Sequence, residues 1–156
     1  RPTANSFEGV FGNMSRLNVL RVVLGIWVLW HLAFGALSTF WPEVGANSVG
    51  WSAEGGWSEP LLAMSTQYGM VMVLLAAMYA FMLLEPLRYL GLIWVAVGEQ
   101  ALGIAYAFYI YFAIGQTQIT PTQLGVQAVV NILIMLVFVL LWNGLKSQAP
   151  GGAKAA

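Results

Sequence analysis

The sequence predicts an all-α fold, a bundle of four transmembrane helices with both termini on one, cytoplasmic face. Three observations predict it. The 156 residues are 60% hydrophobic and only 8% charged, with a mean hydropathy of +0.77, whereas a soluble domain carries about 25% charged residues. Four apolar stretches each reach the roughly 20 residues needed to cross a ~30 Å hydrocarbon core. All six cations fall on one side of those stretches. The solvent for most of this surface is therefore lipid.

The first span is expected over residues 22–41, between Arg21 and Trp41-Pro42, and the second over 61–84. Ser58-Glu59-Pro60 opens the second with a polar cap residue and a proline in the first turn. Glu85-Pro86 separates it so briefly from the third span, 89–114, that the two are expected to form a tight antiparallel hairpin. Thr120-Pro121-Thr122-Gln123 reads as a capping box ahead of the fourth span, 124–143. The ends, residues 1–15 and 147–156, are expected to be polar tails, so that 1–156 is a single transmembrane domain.

Arg1, Arg16 and Arg21 precede the first span, Arg88 lies between the second and third, and Lys146 and Lys154 follow the fourth. The positive-inside rule makes that side cytoplasmic, consistent with a bacterial inner (cytoplasmic or intracytoplasmic) membrane. Trp41, Trp51 and Trp57 mark the outer interface and Trp142 the inner one, as an aromatic belt does. The formal net charge of zero gives no electrostatic case for binding nucleic acid. With no cysteine, thiolate metal sites and thiol catalysis are excluded. No phosphate loop, zinc-type histidine spacing or paired catalytic carboxylates are present, so no catalytic set and no metal site is assigned.

Ionisable groups inside a membrane cost about 2.5–3.5 kcal/mol each on insertion scales and need an explanation. His31 and Glu99 are the two. They lie ten residues after Arg21 and eleven after Arg88, so both sit roughly 15 Å above the inner boundary. At matched depth on different helices they can meet and share a proton. One reading is a proton-relay or ligand-binding pair; the other is a packing hydrogen bond between helices with Glu99 neutral. Gln100 adjoins Glu99, and Gln127 and Asn131, four apart, share a helix face. These five residues mark a candidate polar seam. Ser65, Thr66, Gln67 and Tyr68 cluster in the outer part of the second helix. His31 has a further possible role as axial ligand to a haem or chlorophyll-type pigment, with Gly35 one turn on leaving room beside the ring. The aromatic run Tyr106, Phe108, Tyr109, Tyr111 and Phe112 suits belt anchoring, a pigment, a quinone or a neighbouring subunit. Gly25, Gly35, Gly91, Gly98 and Gly103 allow helices to approach closely.

The long first helix ending in Trp41-Pro42, the turn Glu85-Pro86-Leu87-Arg88 and a third helix with a buried charge at Glu99 resemble the DoxX-like group of small four-helix membrane proteins. The similarity spans residues 17–143. It implies a helical bundle, in some members associated with quinone-linked sulfur oxidation, and no catalytic residue set carries over.

Short loops, aromatic-rich surfaces and the lack of a catalytic set lead to the expectation of a non-catalytic accessory subunit. It would pack among other membrane subunits and lipid in a respiratory or photosynthetic complex. A quinone- or lipophilic-ligand-binding redox subunit using His31 and Glu99, and a pigment- or haem-carrying subunit using His31, are the rivals. The orientation has a direct check: reporter fusions at both termini should read cytoplasmic and a fusion within 42–60 should read periplasmic. A cytoplasmic signal from that loop overturns the assignment.

Overall fold

The computed structural model describes residues 5–48, 55–114 and 120–150, with side chains over 16–48, 55–113 and 120–150. The expectations for Arg1, Trp51 and Lys154 lie outside the described residues. Among those described there are five α-helices and no strand: α1 (Asn5–Phe40), α2 (Pro42–Ser48), α3 (Glu59–Leu84), α4 (Ile93–Tyr109) and α5 (Pro121–Leu145). Four segments are long and apolar enough to cross a membrane: Arg16–Phe40, Glu59–Leu84, Leu90–Ala113 and Pro121–Gln148. The protein is an integral membrane protein built as a four-helix bundle.

Several ends differ from expectation. The stretch 5–15, expected as a polar tail, continues α1 as helix, because no proline interrupts the chain between Pro2 and Pro42. The loop after Trp41 contains the short helix α2, which its own sequence signals with Pro42 at the first position and Glu43 in the first turn. Ser58 takes the extended N-cap backbone of α3, yet its side chain makes no capping bond. The box ahead of α5 forms as its sequence indicates: Thr120 Oγ1 accepts from Gln123 N at 3.2 Å, and Gln123 Oε1 accepts from Thr120 N at 2.9 Å. The third span is not one uniform helix, since a 3₁₀ turn (Leu90–Leu92) leads into α4 and a π-helical turn (Ile110–Ile114) follows it.

The turn between α3 and α4 is as short as its sequence suggests and is braced by Arg88 donating to Glu85 at 3.0 Å. Being exposed and only three residues apart, that pair adds little stability. The helices it joins are nevertheless not the closest neighbours. Instead α1 packs on α3 and α4 packs on α5. Glycine decides the first pairing. A methyl group on Gly35 would lie 2.9 Å from the Gly69 carbonyl oxygen, and one on Gly69 would lie 2.6 Å from the Thr39 backbone nitrogen. The two backbones touch where these glycines cross, a contact open only to residues without a side chain. Gly103 meets the Asn131 side chain of α5, while Gly25, Gly91 and Gly98 face open space, so close approach uses a minority of the glycines expected to provide it.

Burial follows helical spacing. On α1 the buried positions with described side chains are Leu20, Leu24, Val28, His31, Phe34, Gly35 and Ser38, and on α3 they are Ser65, Gly69, Met72, Ala76, Tyr79 and Met82. One contiguous apolar cluster joins all four spans: Leu20, Leu24 and Val28 of α1; Tyr79 and Met82 of α3; Leu90, Ile93 and Ala96 around α4; and Phe138, Leu141 and Leu145 of α5. Every member lies between the Arg16, Arg88 and Lys146 end of the bundle and the depth of His31. Replacing Gly69 by alanine should destabilise the protein by about 1–3 kcal/mol, the usual cost of overpacking. Gly98→Ala should be neutral or stabilising by at most about 1 kcal/mol. Unfolding midpoints in detergent compare the two, and equal midpoints would contradict the glycine crossing.

Candidate functional site

His31 and Tyr79 occupy the buried stripes of α1 and α3, and Glu99 sits on α4 three residues beyond Ala96 of its buried stripe. The helix pairing turns all three toward one point. His31 Nε2 lies 2.9 Å from Glu99 Oε1, and the Tyr79 hydroxyl donates to Glu99 Oε2 at 2.9 Å. His31 Nδ1 lies 2.8 Å from the Trp27 carbonyl oxygen, one turn back on α1. The rings pack as tightly as the polar atoms. The imidazole sits 5.0 Å from the Trp27 ring and 5.2 Å from the Tyr79 ring, and Trp27 meets Phe138 of α5 edge-on at 5.9 Å. Thus one carboxylate ties α1, α3 and α4 together, and the indole beneath adds α5.

The geometry fixes most of the protons. A carbonyl oxygen only accepts, so Nδ1 of His31 carries a hydrogen. The Tyr79 hydroxyl donates to Oε2. One proton remains, between Nε2 and Oε1. On the nitrogen it gives an imidazolium facing a carboxylate; on the oxygen, a neutral imidazole facing a carboxylic acid. Both forms satisfy every polar atom of the three side chains that faces another, the condition for a buried network to be stabilising. They also carry the same total charge, which matters in a medium that penalises net charge.

Burial is uneven. His31 is 0% exposed, while the Glu99 side chain remains 23% exposed. Glu99 is nine residues beyond Leu90, the start of its span, which puts it about 14 Å into an apolar helix. The exposed part of its side chain therefore lies at membrane depth.

The other candidate residues do not join this network. Gln100 is buried on α4, Asn131 is half-buried against Gly103, and Gln127 is exposed. Gln127 and Asn131 do share a face of α5, but α5 is the least buried of the four spans and turns Gln127 outward. A continuous interior seam of all five residues is not formed. Of the polar cluster early in α3, Ser65 is buried and donates to the Pro42 carbonyl at 2.9 Å and Gln67 is exposed, whereas the partly exposed Tyr68 packs on Phe34 at 5.8 Å and lies near enough to Glu99 to feel its charge. The axial-ligand reading of His31 loses its geometry, because both ring nitrogens are engaged and the space beside Gly35 is filled by the backbone of α3. Tyr79 is the residue that sequence reading missed. Its signal was present, since it falls at helical spacing with Ser65, Gly69, Met72 and Ala76 and lies six residues before the Glu85 turn.

Fold and site together define a four-helix integral membrane protein with a buried His–Glu–Tyr network at mid-depth. Compared with known proteins, the chain matches no family model, no curated sequence and no solved structure, so the DoxX-like resemblance stands only on the residues quoted for it.

Substitution separates shape from charge at Glu99. In Glu99→Gln the amide donates to His31 Nε2 while its oxygen accepts from Tyr79, so stability should fall by less than about 1 kcal/mol. Glu99→Leu strands both partners in the apolar interior and should cost about 1–3 kcal/mol. Chemical unfolding curves of the two variants test this, and equal losses would show that the network holds nothing together.

Proposed function

We propose that this protein binds a lipophilic small molecule at mid-membrane, seated against the exposed part of Glu99 and oriented by the network behind it. The carrying observation is the contrast between a sealed His31 and its partner Glu99, whose side chain is 23% exposed. A carboxyl group whose only role is to join helices would be expected to be sealed with its partners, because hydrocarbon compensates neither lone pairs nor charge. Here His31, Tyr79 and the Trp27 carbonyl hold the carboxyl in place from one side. The other side is left for a guest arriving through the bilayer. A quinone-type molecule is one such guest, in keeping with the redox-subunit expectation. Native mass spectrometry of the protein in lipid nanodiscs should detect a retained small molecule other than phospholipid, and Glu99→Leu should lose it. A homogeneous, ligand-free protein from several lipid backgrounds would remove the reading.

A second reading, compatible with the first, is that the chain is an accessory subunit of a larger respiratory or photosynthetic complex. Gln127, exposed on the largely apolar fourth span, favours it, since an amide facing lipid is costly and one facing a partner subunit is not. Tyr106, Phe108, Tyr109 and Phe112 are also exposed on the outer part of the third span. Membership of a bacterial inner membrane with both termini cytoplasmic belongs to the same proposal and is supported by the one-sided distribution of the cations. Gentle extraction should then yield a particle heavier than this chain and its lipids. A stable assembly of this chain alone counts against the partner reading.

A further inference from the structure

At the cationic end of the bundle, the buried stripe of α1 finishes on a charge. Arg16 precedes Leu20 and Leu24 at the same four-residue step, so its side chain leaves α1 on the face that packs inward. There it crosses the backbone of α5 at Gly144, where a methyl group would stand 2.8 Å from both Arg16 Cδ and a guanidinium nitrogen. Arg16 and Gly144 line an open groove of about 380 Å³ together with Leu140, Leu141 and Asn143. The C-terminal end of a helix attracts a cation, yet the guanidinium makes no ion pair or hydrogen bond with any described residue. The described carboxylates are engaged or distant. Glu85 holds Arg88, Glu99 is bonded at mid-depth, and Glu43 and Glu59 begin helices at the opposite end. Lys146 Nζ donates to Asn143 Oδ1 at 3.1 Å, which leaves the amide nitrogen of Asn143 as a further donor. The polar floor of the groove is therefore rich in donors and positive charge.

We propose that this groove holds a phospholipid of net negative charge, its phosphate on Arg16 and its acyl chains along Leu140 and Leu141. Gly144 is 23 residues past Pro121, the start of α5, or about 35 Å along the helix. Hydrocarbon is ~30 Å thick, so the guanidinium sits at headgroup level while the leucines reach back toward the acyl chains. Phosphate oxygens accept two parallel N–H bonds from one guanidinium. A zwitterionic lipid also carries an ammonium or choline group, which would meet Arg16 and Lys146 with no described carboxylate to receive it. An anionic headgroup brings no such cation. The groove lies apart from Glu99, and its occupant does not depend on the guest proposed there.

Native mass spectrometry in detergent compares a phosphatidylglycerol with the phosphatidylcholine of identical acyl chains, and inorganic phosphate forms a third arm. The unmodified chain should retain one phosphatidylglycerol roughly five-fold more than phosphatidylcholine, and excess phosphate should not displace it. Arg16→Gln should lose the preference. Gly144→Ala should weaken it several-fold with the net charge unchanged, because the added methyl displaces the flexible end of Arg16 and not backbone. Arg21→Gln removes an exposed cation of the same end that does not line the groove, and it should keep the preference. Equal retention of the two lipids by the unmodified chain overturns the inference, whether or not any variant folds. Equal loss in Arg16→Gln and Arg21→Gln also overturns it, showing diffuse attraction to the charged end alone. Displacement by free phosphate assigns the groove to a soluble anion and overturns the lipid.

Discussion

A carboxyl group and an imidazole placed halfway along apolar helices must find their partners within the protein, because hydrocarbon supplies none. Much of this architecture answers that requirement. His31 is at 0% exposure because it occupies the same helical stripe as Leu20, Leu24 and Val28. That stripe faces α3, where Tyr79 lies in the corresponding buried row. Glu99 reaches both from α4, whose main packing is with α5. The polar network therefore connects two helix pairs that each have their own closest contacts. Below it, the cluster from Leu20 to Leu145 joins all four spans with apolar side chains.

The two ends of the bundle are held by different physics. Toward the cationic end, large side chains interdigitate across every helix, and dispersion and shape dominate. Toward the other end, α1 and α3 touch backbone to backbone at Gly35 and Gly69, and α2 folds onto them with Gly45 against Ser38. There α4 pairs with α5 instead, with Gly103 against Asn131 and with Ala107 and Leu124 buried. The network sits at the boundary between these regimes. This location accounts for a glutamate whose two oxygens are bonded while part of its side chain stays exposed.

Much of the architecture was legible in the sequence, because span length and hydropathy are set by the bilayer and not by tertiary contacts. Proline and capping residues fixed the start of α5 and the turn at Glu85-Pro86. The matched depths of His31 and Glu99 could be counted from the flanking arginines, because a helix rises by a constant amount per residue. Pairing was not legible. Loop length makes α3 and α4 neighbours in sequence, but the decisive contact between α1 and α3 depends on Gly69, which looks like any other membrane glycine until Gly35 lies across it. Tyr79 escaped notice for a related reason. A tyrosine in an apolar helix reads as bulk or as an interfacial anchor, and only the positions of two other helices turn its hydroxyl into a donor to Glu99. Gln127 failed in the opposite sense, because a polar residue suggested the interior on a helix that buries little of its surface.

The hydrogen bond from His31 to Trp27 has a consequence for traffic through the membrane. A histidine passes a proton onward by accepting at one nitrogen and releasing from the other. Here the far nitrogen faces a peptide carbonyl of its own helix, which has no proton to exchange and no acidic neighbour to forward one. A proton that reaches Glu99 can move across to the imidazole and back, and there the route ends. Built this way, the pair holds one proton between Nε2 and Oε1 and gives it no way onward through the imidazole toward the other face of the membrane.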